Sequence, residues 1–223
     1  MAVYLFDIDG TLLNSGGAGQ AAMEVGLARA FGITAPTEGI SVAGRTDFAI
    51  IADLLEYHGV EPTVENRRRI IDEYLAHLPI ELAQREGLIL PGVVELLEQL
   101  KTVTQSHLGL LTGNLRRGAE LKLTHFELMQ HFEGGGFGDD HSHRDDVARA
   151  ALADVQGIRP TARSETIWVI GDTPADVQCG RAIGATVLAV ATGLYSTEQL
   201  AETEPDYLVD NFSEVDRILE LLA

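Results

Sequence analysis

The sequence predicts an α/β fold: a Rossmann-like parallel sheet covered by helices on both faces, with an all-helical segment inserted after the first strand. Three observations carry this. An apolar run, Val3 to Phe6, opens the chain, and Val3 to Ile8 reads as a short buried strand. From about residue 89 onward, strand-length apolar runs alternate with amphipathic stretches, the grammar of a parallel sheet. Between them, residues 15–88 read as helical, with no convincing strand. The expected organisation is therefore a core of residues 1–14 and 89–223 and a helical cap of residues 15–88.

Within the cap, residues 18–31 place Ala22, Val25, Leu27, Ala30 and Phe31 along one helical stripe. Residues 47–58 repeat the pattern with Phe48, Ile51, Ala52 and Leu55, and residues 63–86 form a third helix that Pro79 is expected to interrupt. After Pro91-Gly92, VVELLEQL reads as a helix and SHLGLLTGN as a strand running into a turn. HRDDVARAALADVQ is amphipathic, with Val147, Ala151, Leu152 and Val155 on one face. ETIWVIGD, TVLAVATG and YLVD read as strands, PADVQCGRAIG and FSEVDRILELLA as helices. The glycine-rich stretches at 16–19 and 133–140 read as loops, and neither fits a dinucleotide-binding fingerprint.

The chain has 223 residues, 45% of them hydrophobic, enough for one domain with a sizeable insertion. Its net charge of −18 repels phosphate backbones, which argues against nucleic acid as a partner. Any anionic ligand then needs a local cation or oriented dipoles. Lysines number two, Lys101 and Lys122. The single cysteine, Cys179, rules out an intrachain disulfide, and it is expected to pack in a helix. No apolar run is long enough to span a bilayer and no leader pattern is visible, so a cytoplasmic monomer or homodimer is expected.

The chemistry concentrates at strand ends. FDIDGTLLNS sets Asp7 and Asp9 two residues apart where the first strand stops, followed by Gly10 and Thr11. Side chains at i and i+2 of a strand point the same way, about 6–7 Å apart along the backbone. Two like charges at that distance repel by roughly 2–3 kcal/mol at an effective dielectric of 20. Either one carboxyl keeps a proton or a cation sits beside them. LLTGN carries Thr112 to the end of another strand, where Gly113 lets backbone approach a ligand and Asn114 follows. Arg144 opens a helix against its dipole, a misfit that suggests an anion to hold. VIGDTPAD ends a strand at Asp172; Thr173 and Asp176 fit a capping box, so Asp176 has a structural explanation that Asp172 lacks. Ligands of open α/β sheets bind at such strand ends, and several carboxylates lining oxygen-rich space suit a hard cation, Mg²⁺ foremost.

DIDGT, then TGN, then a basic residue, then GDTPAD, in that order, resembles the haloacid dehalogenase superfamily, and the helical insertion resembles its phosphoglycolate phosphatase-like branch. The resemblance implies that Asp7 is a nucleophile that becomes an aspartyl phosphate. It implies that Asp9 is the acid for the leaving group and then the base for water, its backbone carbonyl binding Mg²⁺. Thr112 would bind the phosphoryl oxygens and Arg144 would take the place of the usual lysine. Asp172 would complete a metal site of Asp7, Asp9, Asp172 and Asp176. Gly10, Thr11, Gly113, Asn114 and, from the GRTD stretch of the cap, Arg45 are the expected substrate contacts. The expected reaction is Mg²⁺-dependent hydrolysis of a small phosphorylated metabolite, phosphoglycolate-like, beneath a closing cap. A sugar phosphomutase of the β-phosphoglucomutase type and a catalytically silent phosphometabolite-binding protein are the alternatives. Asp9 argues against a carbon–chlorine dehalogenase, and the absence of lysine from residues 15–88 argues against Schiff-base phosphonate cleavage.

Overall fold

The structure is a computed structural model that describes residues 2–103, 106–158, 160, 162 and 165–222. The chain begins with β1 (Ala2–Phe6) and β2 (Leu13–Asn14), then runs through α1 (Ala18–Phe31), α2 (Asp47–Tyr57) and α3 (Val64–Gln84). It returns through β3 (Leu88–Ile89), α4 (Val93–Val103), β4 (His107–Leu111), α5 (Arg116–His125) and β5 (Gly135–Gly136). It closes with α6 (Arg144–Ile158), β6 (Thr166–Gly171), α7 (Pro174–Ala182), β7 (Thr186–Val190), α8 (Thr197–Ala201), β8 (Tyr207–Val209) and α9 (Val215–Leu222).

Six strands form one parallel sheet in the order β5-β4-β1-β6-β7-β8. The central strand β1 shows why the sheet is buried on both faces. Tyr4 and Phe6 enter one hydrophobic cluster with Leu96, Leu97 and Leu100 of α4 and Ile218 of α9. Val3 and Leu5 enter another, with Val147, Ala151 and Val155 of α6 and Val177 of α7. Apolar residues at every position are what a strand covered on both sides requires. At the exposed C-terminal part of α4, Lys101 donates to the Gln130 carbonyl at 2.9 Å.

Helices α1, α2 and α3 pack into a third cluster around Met23, Leu27, Ile51, Leu55, Ile70 and Tyr74. Gly26 lets α1 and α3 approach closely, since a Cβ there would meet the Ile70 carbonyl at 3.1 Å. This helical unit leaves and re-enters the rest of the chain beside the two-stranded antiparallel pairing of β2 with β3.

Three details differ from expectation. Pro79 lies inside α3 without ending it. It sits on the exposed side, while Tyr74, Leu78 and Leu82 bury the other face and hold the helix together. The stretch at 133–140 is not wholly loop, because Gly135 and Gly136 pair with Leu110 and Leu111 as edge strand β5. Glycine is needed there for close approach, since a Cβ on either residue would overlap backbone of Leu110 or Val147, and at Gly135 also for its φ of 136°. Finally, α5, α8 and the short strand β2 lie where sequence patterning singled out no element.

Candidate active site

Register brings the strand ends together. Phe6 pairs with Leu110 on one side and Ile170 on the other, so Asp7, Thr112 and Asp172 emerge within one residue of a common level. The backbone N–H of Asp7 donates to the Ile170 carbonyl at 3.0 Å. The chain leaves β1 with its later neighbours on opposite sides, which makes this the switch point of the sheet. A cavity of about 390 Å³ opens there, between the sheet and the helical unit.

Asp7, Asp172 and Asp176 are buried and bring carboxylate oxygens within 4.8 Å of one another. Burial pushes Asp7 up to about 6, Arg144 pulling it down and Asp176 adding to the rise; Thr112 hydrogen-bonds to it. Burial pushes Asp172 up to about 8, helped by the charges of Asp176 and Asp7. Arg144 is buried, its guanidinium paired with Asp176 and 3.5 Å from Asp7. The anions it holds are the protein's own, and they raise its affinity for the proton although burial opposes this. Asp176 is the N3 residue of a capping box with Thr173, and both its oxygens are occupied, by Thr173 and Arg144.

The oxygen-only donor set fits a hard divalent cation such as Mg²⁺. Thr11 orients one member, donating to Asp172 at 3.0 Å, so its hydroxyl is engaged with a carboxylate. Gly10, at φ 83°, and Gly193 lie so close to Asp172 that a Cβ on either would collide with its carboxylate.

Asp9 points elsewhere. Lys122 of α5 donates to its Oδ2 at 2.6 Å and Asn114 at 2.8 Å, while Ser15 reaches its Oδ1 at 3.3 Å. Burial acts to raise its pKa, but these donors prevail and hold it below the usual carboxylate range. Lys122 is buried and also donates to Asn114 Oδ1 at 2.6 Å. Asn114 in turn donates to Thr112 at 2.8 Å, so its amide braces both motifs. The TGN motif marks Asn114 in the sequence, whereas no motif marks Lys122.

The helical unit seats on the TGN loop through backbone. The Asp47 N–H donates to the Gly113 carbonyl at 2.7 Å. The Asp47 carboxylate accepts from the Leu115 N–H at 2.9 Å and from the Tyr74 hydroxyl at 3.3 Å. Burial pushes Asp47 up to about 6, with Lys122 opposing. A Cβ on Gly113 would overlap the Arg45 carbonyl, and one on Gly138 would overlap the Gly113 carbonyl. Gly113→Ala is therefore expected to cost more than about 2 kcal/mol, a fall in Tm of roughly 5 °C or more for a chain of this size; thermal unfolding followed by circular dichroism checks it. Arg45 lines the cavity, but its guanidinium is paired with Asp53 at 2.7 Å and donates to the Ser41 carbonyl at 3.3 Å. His143 is exposed and His141 partly so. Burial pushes the Cys179 thiol up to about 12, which leaves no thiolate for chemistry.

Residues 4–190 match the family model described as haloacid dehalogenase-like hydrolase. The chain is 31% identical over 134 residues to the Dickeya dadantii (strain 3937) protein named Probable phosphatase IndB, a match covering 60% of this chain and 57% of that protein. It is 26% identical to a phosphoglycolate phosphatase of Synechococcus elongatus, over 96% of this chain and 95% of the relative. In fold it is similar to CbbY from Rhodobacter sphaeroides, solved in complex with phosphate, with a TM-score of 0.73 and 20% identity over 96% of this chain and 95% of that one. The family match runs from β1 to the end of β7 and so takes in every strand whose end contributes to the acidic crevice; the chain belongs to the haloacid dehalogenase-like hydrolases.

Proposed function

We propose that this chain is a Mg²⁺-dependent phosphatase that hydrolyses a small phosphate monoester through an aspartyl phosphate on Asp7, beneath a cap formed by α1, α2 and α3. One observation carries the reading: three buried carboxylates meet beside a buried arginine at the C-terminal edge of the sheet, and two of them, Asp7 and Asp172, line a cavity. A bound divalent ion would offset the mutual repulsion of these carboxylates and the charge of the incoming phosphoryl group. Asp7, Asp172 and the backbone carbonyl of Asp9 would hold it, with Asp176 supporting from the capping box.

Asp7 attacks phosphorus, and the leaving oxygen departs toward the cap side, where Asp9 stands. Asp9, ionised in the free protein, takes up a proton as the anionic ester binds beside it, gives that proton to the leaving oxygen and afterwards accepts one from the water that cleaves the aspartyl phosphate. Arg144 and Thr112, both against Asp7, steady the phosphoryl oxygens. Lys122 and Asn114 set the direction in which Asp9 points. Closure of the cap excludes bulk water from the reacting atoms. The name of the Synechococcus relative puts phosphoglycolate among the first esters to try.

The test is release of inorganic phosphate from a panel of phosphate esters with Mg²⁺ or with excess chelator. Chelator-sensitive release supports the reading. Isomerisation of a sugar phosphate with little release would replace it with a mutase, and binding without turnover would replace it with a sensor.

Stability supplies an independent check on the metal. Asp7 at about 6 and Asp172 at about 8 both lie above the ordinary value of 3.8. Between about pH 4 and 8 the folded, metal-free protein therefore holds protons that the unfolded chain has released, and stability falls as pH rises through that window. Mg²⁺ should relieve this most where both carboxyls would otherwise be charged. At about a hundredfold excess over Kd it contributes about 2.7 kcal/mol, which corresponds to a rise in Tm of roughly 5–10 °C. Scanning calorimetry should show a larger rise at pH 8 than at pH 5; equal rises, or none, would count against the metal site.

A further inference from the structure

The cavity continues beyond the phosphoryl end to an apolar wall that a two-carbon acid would not need. Its cap-side wall is formed by Met23, Ile40, Ile50, Leu54 and Tyr74, which belong to the apolar cluster of the helical unit or pack against it. The whole cavity, phosphoryl end included, has a volume of about 390 Å³, within the range of about 300–1,000 Å³ typical of pockets that enclose whole organic ligands. The charges around it are arranged against an anionic leaving group. Among the described residues, its basic lining consists of Arg45, Lys122 and Arg144. Arg45 is paired with Asp53 at 2.7 Å, Lys122 with Asp9 at 2.6 Å, and Arg144 with Asp7 and Asp176 at the phosphoryl end. Glu24 and Asp47 also line the cavity. A carboxylate on the leaving group would be desolvated against hydrocarbon and face two acidic residues, with each nearby cation already paired.

We infer that the leaving group this site serves is an uncharged, carbon-rich alcohol, larger than glycolate, whose apolar face lies against the cap-side wall. The inference rests on the phosphatase reading and narrows its substrate class. It predicts that a neutral primary alcohol carrying a ring, such as the benzyl alcohol of benzyl phosphate, is accepted in preference to glycolate. In each case the Asp7 carboxylate forms the new bond to phosphorus, the ester P–O bond breaks, and the alcohol leaves with a proton from Asp9.

The full chain with Mg²⁺ is assayed for phosphate release from benzyl phosphate and from phosphoglycolate, two unactivated alkyl esters. kcat/KM is expected to favour benzyl phosphate by at least about tenfold, since single apolar groups in a fitted pocket discriminate by 10–200-fold. Ile40→Arg, at a half-buried loop position, adds a cation to the wall and should shrink that ratio by about fivefold or more through its effect on KM. Equal or better turnover of phosphoglycolate by the unaltered protein would overturn the inference while leaving a phosphatase. Failure of both esters to release phosphate would overturn the phosphatase reading along with it.

Discussion

Replacing Asp7 by Asn is expected to lower phosphate release by at least about 10³-fold, the scale seen when a covalent nucleophile is removed. The amide has nearly the shape of the carboxylate but cannot form a stable acyl phosphate. Loss of folding is not the expected cause. Asp7 sits in a cluster in which burial and neighbouring carboxylates oppose its charge, so neutralising it relieves repulsion from Asp172 and Asp176. The opposing contribution is lost pairing with Arg144, which keeps Asp176 as a partner. The variant should therefore unfold at a temperature close to that of the original protein. Chelator-sensitive phosphate release, read beside a thermal melt, checks both halves. Undiminished turnover would remove Asp7 as nucleophile; a collapsed melt would leave the activity loss uninformative about chemistry, and Asp7→Glu, which keeps the charge but moves it by one methylene, would then serve in its place.

The second large effect belongs to Lys122. Lys122→Met keeps most of the side-chain volume and removes the ammonium that donates to Asp9 and Asn114 at 2.6 Å. Burial acts to raise Asp9, and the lysine charge is the foremost influence against it. Without that charge Asp9 should retain its proton to higher pH. Asp9 must be ionised to take a proton from water when the aspartyl phosphate is hydrolysed, so the second chemical step suffers more than the first. General-base catalysis is commonly worth 10²–10⁴-fold, and a fall in kcat of about 10²-fold is expected. kcat/KM, set at the first irreversible step, should change much less, and KM should drop as phosphoenzyme accumulates. With an activated aryl phosphate, a burst of the aryl alcohol equal to the enzyme concentration should appear. The acid limb of the kcat profile should move to higher pH. Equal losses in kcat and kcat/KM, with an unmoved limb, would reduce Lys122 to a packing residue.

The contrast between Asp172 and Lys122 shows what the sequence makes readable. Asp172 ends a strand apolar enough to be recognised alone, and the residues after it match a helix start, so its place at a strand end follows from local pattern. Lys122 lies on α5, whose segment LRRGAELKLTH is too polar for its apolar stripe to stand out. The stripe exists, with Leu115, Ala119 and Leu123 buried at intervals of four, and Lys122 falls on its inner edge. A lysine on an apolar face, in a chain with only two, is the signal that could have found it. Thr11 and Asn114 were legible as polar groups near the site, but not in their partners, because each spends its bonds on a carboxylate that arrives from another strand or turn. Asp47 was hidden for the same reason. Its partners, Leu115 just before α5 and Tyr74 on α3, belong to separate elements whose meeting only the fold decides.

The scarcity of primary amines also has a practical side. Lys122 is enclosed and held in bonds, whereas Lys101 is exposed near the end of α4 that leads into the start of β4. Strand β1 begins at that same edge of the sheet, opposite the mouth of the cavity. Coupling to a bead or sensor surface through Lys101 would therefore tether the molecule by its back and present the crevice outward, open to ligand.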